Sequence, residues 1–106
     1  MDFQMDGRHW KVMITDNLVG PVVEPLRAKL LDEIDRIDAV DSVTLDLSQC
    51  ERMDSLGVKL VVGLFKTCQS RGWSFEITTA STQIMHLMTL CKLDKIITLR
   101  EVTANA

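Results

Sequence analysis

A buried strand followed closely by an amphipathic helix constrains the fold of this chain more than any other feature. Residues 42–47 are rich in β-branched residues and leucine and are bounded by polar residues, which predicts a buried strand. Helical spacing follows from Ser55, with apolar residues on one face and lysines off it. Arg71 and Gly72, a basic residue and then a glycine, are typical of a helix stop. This unit of strand and helix, residues 42–72, predicts an α/β fold.

The segment before this unit predicts a hairpin and a helix. Residues 10–15 are rich in strand formers, and we expect them to pair with a first strand near residues 2–6 across the turn at Gly7 and Arg8. A helix is predicted to begin at Pro21 or Pro25, because the first helical turn tolerates a missing N–H, and to end near residues 37–39. Its apolar stripe consists of Val22, Leu26, Leu30, Ile34 and Ile37.

The segment after the unit predicts a strand, a helix and a last strand. Residues 73–79 alternate between apolar and polar, and Ser81 or Thr82 is expected to cap the helix that follows. Residues 96–99 predict the last strand, and residues 104–106 a frayed end. Four residues of the last helix are expected to face the core: Ile84, Leu87, Met88 and Cys91.

The predicted element order is therefore β-β-α-β-α-β-α-β. Strands joined through helices pair in parallel, so the sheet should be mixed, with an antiparallel first hairpin and a largely parallel remainder. At 106 residues the chain is expected to be one α/β domain over residues 1–106, with a five-stranded sheet covered by three or four helices.

Charge and composition argue against several functional classes. The net charge is −3 and the twelve lysines and arginines are scattered, so no basic surface for nucleic acid or an anionic membrane is expected. No apolar run approaches the ~20 residues that span a bilayer, and the first residues lack the features of a signal peptide. The odd number of widely spaced cysteines predicts reduced thiols in a cytoplasmic protein.

No catalytic or metal-binding pattern is found in the sequence. His9 and His86 have no cysteine or carboxylate at metal spacing. No arrangement of serine or cysteine with histidine and aspartate can be argued, and no glycine-rich loop for phosphates is present. We therefore expect no cofactor and no enzymatic activity.

The stretch from Met53 to Gly57 is the strongest functional signal. It places Ser55 where a strand gives way to a helix, beside backbone N–H groups that lack partners and carry a partial positive charge. Added negative charge is tolerated there, so Ser55 is a candidate phosphorylation site. The simpler interpretation is that Ser55 only caps the helix and that Asp54 is only a favourable acid of its first turn. Gly57 suggests the close approach of a partner or of backbone.

These residues also carry a resemblance to a known family. The segment Val43-Thr44-Leu45-Asp46-Leu47-Ser48, followed by Met53-Asp54-Ser55-Leu56-Gly57-Val58, resembles the STAS domain of anti-sigma factor antagonists and sulphate transporter tails. Arg71-Gly72 before a strand and Leu90-Cys91-Lys92-Leu93-Asp94-Lys95-Ile96-Ile97 near the end support it. The resemblance covers the second half by motif and the first forty residues by element order.

The resemblance implies an anti-sigma factor antagonist. In that family the unphosphorylated antagonist binds an anti-sigma factor that is also a serine kinase, here expected to be of the GHKL type. Phosphorylation of the serine in D-S-x-G releases the antagonist, and a PP2C-type phosphatase resets it. By position, Ser55 matches the phosphoacceptor, with Asp54 before it and Gly57 as the motif glycine. The implied partner-binding residues are Asp54, Ser55, Leu56, Gly57 and Lys59.

Some positions depart from the family pattern and leave alternatives open. Leu56 stands where many members carry a small residue, and the frequent glycine between the second strand and first helix is missing from residues 15–18. Ser81 and Thr82 are further candidate phosphoacceptors. The alternative function is that of an accessory STAS subunit of an ABC-type membrane transport complex, which would bind the ATPase without being phosphorylated.

Overall fold

In the computed structural model, which describes residues 1–102, five strands form one sheet. The strands are β1 (Asp2–Asp6), β2 (His9–Met13), β3 (Ser42–Leu47), β4 (Ser74–Thr79) and β5 (Thr98–Glu101). They lie side by side in chain order; β1 and β2 are antiparallel, and every later pair is parallel. The mixed sheet predicted from the sequence is confirmed. The frayed end predicted at residues 104–106 lies outside the described residues.

A helix connects each parallel pair of strands, as parallel pairing requires. The helices are α1 (Val23–Arg36), α2 (Ser55–Ser70) and α3 (Thr82–Leu90). A short 3-10 turn with Pro21 precedes α1, and Pro25 lies in its first turn, where neither proline costs a helical hydrogen bond. A second 3-10 turn, Leu93–Lys95, links α3 to β5. The predicted element order is confirmed.

One apolar cluster lies between the sheet and the helices. Alternate residues of the central strands point into it, and each is at most 2 % exposed: Trp10, Val12, Val43, Leu45, Leu47 and Ile77. The helices contribute Leu30, Ile34, Leu60, Val61, Leu64, Ile84 and Met88. At the edge of the sheet, Phe3 stacks on Trp10 with ring centroids 5.5 Å apart.

The other residues of these strands form a polar face, which lines an open depression of about 760 Å³. His9 is hydrogen-bonded through its two ring nitrogens to the hydroxyls of Ser42 (2.6 Å) and Thr44 (2.8 Å). The Thr78 hydroxyl donates to Asp46 Oδ1 (3.0 Å). Side chains of neighbouring strands are thus paired across the sheet.

Cys91 was predicted to face the core, and the structure contradicts this. The thiol is exposed, because α3 ends at Leu90 and Cys91 is its C-cap. The next residue, Lys92, has a left-handed backbone with φ of 60°, which turns the chain away from the helix axis. The apolar stripe of α3 therefore stops at Met88, and Leu93 in the following turn contributes the next buried side chain.

The last strand begins two residues later than predicted. The backbone N–H groups of Ile96 and Ile97 both donate to the Leu93 carbonyl, so these isoleucines belong to a turn. Ile97 is buried, whereas Ile96 is 57 % exposed. Spacing alone could not separate this turn from a strand, since adjacent β-branched residues such as these are also typical of strands.

Candidate functional site

The loop between β3 and α2, residues 48–54, presents the predicted motif at the start of α2. Asp54 is the N-cap: its Oδ1 accepts hydrogen bonds from the backbone N–H groups of Leu56 (3.0 Å) and Gly57 (3.2 Å). The Val58 N–H donates to the Asp54 carbonyl and begins the helical ladder. Ser55 is therefore the first helical residue, and its interpretation as the cap is wrong. The cap is the aspartate before it.

Asp54 also ties the motif to the connection between β2 and α1. Its Oδ2 accepts a hydrogen bond from the backbone N–H of Gly20 (2.8 Å). The hydrogen bond from Gly20, followed by those from Gly57 and Leu56, lowers the pKa of the Asp54 carboxyl below its usual value. Gly20 has a φ of 50°, a conformation that glycine adopts without steric cost. The connection thus has its glycine at position 20, two residues beyond residues 15–18, from which the glycine frequent in the family is missing.

Gly57 is buried against the same connection. A Cβ at this position would lie 2.5 Å from the Leu18 carbonyl oxygen and 2.6 Å from Met53 Cγ. No real Cβ tolerates such distances, so the glycine allows α2 to approach the Leu18 backbone. Of the two motives predicted for Gly57, the close approach of backbone is confirmed. The side of α2 that carries Gly57 is closed to a partner by Leu18.

Backbone pairing between Leu18 and the motif explains this approach. Leu18 and Met53 form an isolated parallel bridge. The Leu18 N–H donates to the Arg52 carbonyl (3.0 Å), and the Asp54 N–H donates to the Leu18 carbonyl (3.2 Å). The side-chain oxygen of Asn17 accepts hydrogen bonds from the backbone N–H groups of Glu51 (2.9 Å) and Arg52 (3.1 Å).

The start of α3 holds the loop from the other side. Gln83 accepts a hydrogen bond from the Met53 N–H (3.1 Å) through Oε1, and its Nε2 donates to the Met53 carbonyl (3.3 Å). Ser81 caps α3 by accepting from the Ile84 N–H (3.2 Å), as predicted, and its hydroxyl donates to the Glu51 carbonyl (2.6 Å). Of the two further candidate phosphoacceptors, Ser81 thus uses its hydroxyl both as donor and as acceptor, whereas Thr82 is exposed.

The five predicted partner-binding residues differ in what they offer a partner. Ser55 and Lys59 are exposed, and the apolar side chain of Leu56 is 43 % exposed. Asp54 is half-buried with both carboxylate oxygens bonded to backbone, and Gly57 lies beneath the surface. The outer surface consists of Ser55, Leu56 and Lys59, and the other two residues hold it in place.

Sequence reasoning missed the residues that position the loop: Asn17, Leu18, Gly20 and Gln83. Each contacts a residue at least 30 positions away in the chain, so no local spacing connects them. Of these four residues, only Gln83 has a local signal that could have indicated its role, because it is a polar residue two positions after a helix cap.

The model of the family described as "Mlab, STAS domain" matches residues 1–101 of this sequence. The chain belongs to the STAS domain family. The expectation drawn from the D-S-x-G motif is thereby confirmed, and the match extends over the first forty residues, for which the sequence offered only the order of elements.

Solved structures show the same fold. The crystal structure of a candidate anti-sigma factor antagonist from Thermotoga maritima, TM1081, is similar with a TM-score of 0.86 at 19% identity, covering 95% of this chain and 86% of that chain. Its NMR structure gives 0.77 at 19% identity, over 94% and 79%. The anti-sigma factor antagonist SpoIIAA in its unphosphorylated form gives 0.67 at 22% identity, over 96% and 90%.

Within residues 1–102 no helix is both long and apolar enough to cross a membrane. The same residues contain no group of three or more histidine, cysteine, aspartate or glutamate side chains arranged to hold a metal ion.

Proposed function

We propose that this STAS domain is an anti-sigma factor antagonist that acts by partner switching in the cytoplasm. In its unphosphorylated form it binds an anti-sigma factor that is also a GHKL-type serine kinase. Phosphorylation of Ser55 releases it, and a PP2C-type phosphatase restores it. The domain would act as a binding module without catalytic activity of its own. The observation that carries it is the exposed residue Ser55 at the first position of α2, directly after a loop that both neighbouring segments hold in place.

The contacts of Asp54 support a switch based on charge. A phosphoserine carries about −1.5 to −2 charges at neutral pH. The N–H groups of Leu56 and Gly57, which would otherwise stabilise an anion at this helix start, already bond to Asp54. A phosphate on Ser55 would therefore lie beside a carboxylate with these donors occupied. In the free protein water solvates that charge, so the fold tolerates it.

The same charge would be costly inside an interface. A desolvated and unmatched charge costs several kcal/mol, and about 1.4 kcal/mol changes affinity tenfold. Leu56 would contribute apolar area to the partner contact, and Lys59, one turn along α2, a charge that an acidic group could pair with. Release then requires no change of shape in this domain.

The test compares Ser55→Ala and Ser55→Asp as baits in cells that contain the natural partners. We expect the alanine variant to capture a protein with a GHKL kinase domain constitutively, and the aspartate variant to capture at least tenfold less. Intact-mass analysis of the wild-type protein should show one added phosphate, absent from Ser55→Ala. Ser70, the exposed last residue of α2, provides the matched controls: Ser70→Ala and Ser70→Asp should capture the kinase as the wild type does.

The same surface also supports the alternative of an accessory subunit that docks permanently on a transport ATPase. The exposed apolar side chain of Leu56 favours it, because apolar contacts suit lasting interfaces. In that case the captured protein would be an ATPase, and no phosphate would be found on Ser55. Equal capture by the alanine and aspartate variants would reject the switch.

A further inference from the structure

A groove between α1 and α2 lies on a different part of the surface from Ser55. Its volume is about 280 Å³, and its apolar wall comes mainly from leucines and isoleucine of the two helices. Leu31 on its edge is 43 % exposed, although it is among the largest apolar side chains of α1. The groove thus leaves apolar surface uncovered by the described residues.

Gly63 on the groove wall has no explanation among residues 1–102. It lies in the interior of α2, where glycine destabilises a helix relative to alanine. A Cβ at Gly63 would meet no atom within 4 Å outside the neighbouring helix backbone, and φ is not positive. Gly57 in the same helix is needed because a side chain there would collide with Leu18, whereas no described residue approaches Gly63 closely enough to require a glycine. A glycine that costs helix stability and faces open space fits the close approach of a second backbone.

Both charged residues that line the groove are cations. Lys66 forms no ion pair with any residue in the described range 1–102, and Arg27 pairs only with Glu24 at 3.3 Å. The Arg27 and Glu24 side chains are 54% and 75% exposed, so that pair is weak and readily exchanged. The domain as a whole has a charge of −3, which makes this local positive rim distinctive. It would complement carboxylates.

The size and shape of the groove select among anionic occupants. The groove lies between two helices, and its volume of about 280 Å³ is at the lower end of the range of about 300–1,000 Å³ that is usual for pockets of small molecules. Grooves between helices commonly receive the apolar face of an amphipathic helix. We propose that the groove between α1 and α2 binds an acidic amphipathic helix of a partner protein, with aliphatic side chains against Leu31 and Gly63 and carboxylates at Arg27 and Lys66.

The test uses synthetic helical peptides titrated into the full-length 15N-labelled protein and followed by NMR. One peptide carries leucines at positions i, i+3 and i+7 flanked by glutamates, and its control carries lysine in place of each glutamate. We expect amide shifts confined to residues 27–34 and 60–67 and at least tenfold tighter binding of the glutamate peptide. Ser55→Asp should leave this binding unchanged, so failure here is separate from failure of the phosphorylation switch.

Matched variants test the role of each wall. Gly63→Leu fills the groove and should weaken binding at least tenfold, whereas Gln69→Leu, an exposed position of α2 outside the groove, should not. Lys66→Glu should weaken binding, whereas Lys29→Glu, exposed on α1 outside the groove, should have little effect. Gly63→Ala should raise the melting temperature while weakening binding, which shows that folding is intact.

Three results would overturn the proposal. The first is equal affinity for the two peptides, or shifts outside the two helices. The second is unchanged binding to Gly63→Leu. The third is evidence that the groove has another occupant, combined with no binding of the glutamate peptide. Such evidence would be co-sedimentation with phosphatidylglycerol vesicles, or a dimer in sedimentation velocity, if either is lost in Gly63→Leu.

Discussion

The loop before α2 and the polar face of the sheet both contain networks of polar side chains. The two networks differ in their hydrogen-bond partners, which are mainly backbone groups in the loop and mainly other side chains on the sheet. In the loop, side chains bond to backbone: Asp54 to Gly20, Leu56 and Gly57, and Gln83 to Met53. On the sheet, the ladder already pairs the backbone, and side chains bond mainly to one another, as His9 does to Thr44.

This difference determines what each side chain contributes. Removing a side chain from the loop leaves a backbone N–H without its partner in a segment that, among residues 1–102, is paired to the rest of the sheet layer only by the bridge between Leu18 and Met53. Removing one from the sheet face leaves the strand in place, and water can solvate the group that remains. The loop network should therefore dominate stability near the candidate site, and substitutions in the two regions test this.

The largest effect is expected from Gly57→Ala, which closes the space that the loop requires. The added methyl collides with the Leu18 carbonyl, which belongs to backbone and cannot rotate away. We expect a loss of about 1–3 kcal/mol in the free energy of unfolding, measured by urea denaturation. Gly63→Ala in the same helix is the control and should gain about 0.5–1 kcal/mol. Equal effects of the two substitutions would contradict the role given to Leu18.

Asp54→Asn is expected to have the next largest effect, and it depends on pH. The pKa of Asp54 is lowered in the folded state, so its contribution is present above the unfolded value of 3.8 and is lost as pH falls through the folded pKa. The substitution should lower the melting temperature at pH 7. It should also flatten the fall in melting temperature of the wild type below about pH 4. An unchanged acid profile would show that Asp54 is not the group responsible.

Gln83→Ala should have a smaller effect that is local to the loop. It removes the acceptor of the Met53 N–H, and Met53 is only 4% exposed, so water replaces the amide poorly. We expect a loss of about 1–2 kcal/mol and faster hydrogen exchange at the Met53 amide. Gln69→Ala, at an exposed position of α2, is the control and should change neither quantity. Slow exchange at Met53 in the variant would mean that other contacts suffice to hold the loop.

The smallest effect is expected from Thr78→Val on the polar face of the sheet. Valine keeps the β-branched shape and the strand propensity but loses the hydrogen bond from the hydroxyl to Asp46. The free energy of unfolding should change by less than about 1 kcal/mol, measured in the same denaturation experiment. If this variant were destabilised more than Gln83→Ala, the contrast between the two regions would be wrong.

Local patterns in the sequence were sufficient to predict the order of strands and helices and the position of Ser55 at the start of α2. Residues 42–47 form a strand as predicted, and α2 begins at Ser55, because hydrophobic period and helix-stop residues are properties of adjacent positions. The assignment of Cys91 to the core failed because a left-handed residue, Lys92, ended the helical arrangement after Leu90. A single backbone angle is not encoded in hydrophobic spacing.

The support of the candidate site could not be predicted in the same way. Asn17, Gly20 and Gln83 reach the motif only because the parallel sheet brings the ends of β2, β3 and β4 to one edge. The sequence predicted the largely parallel sheet, but not which side chains would bond across its edge. Even the identity of the N-cap depended on rotamers, since aspartate and serine are both good caps.

The way the loop is held has a consequence for the thermodynamics of association. The backbone of residues 51–57 has most of its partners before another protein arrives, so docking would lose little conformational entropy there. A small contact area can then give useful affinity. Under the proposed function, the energy of such a complex would be concentrated in few atoms, and the addition of a single ionised group would be sufficient to dissociate it.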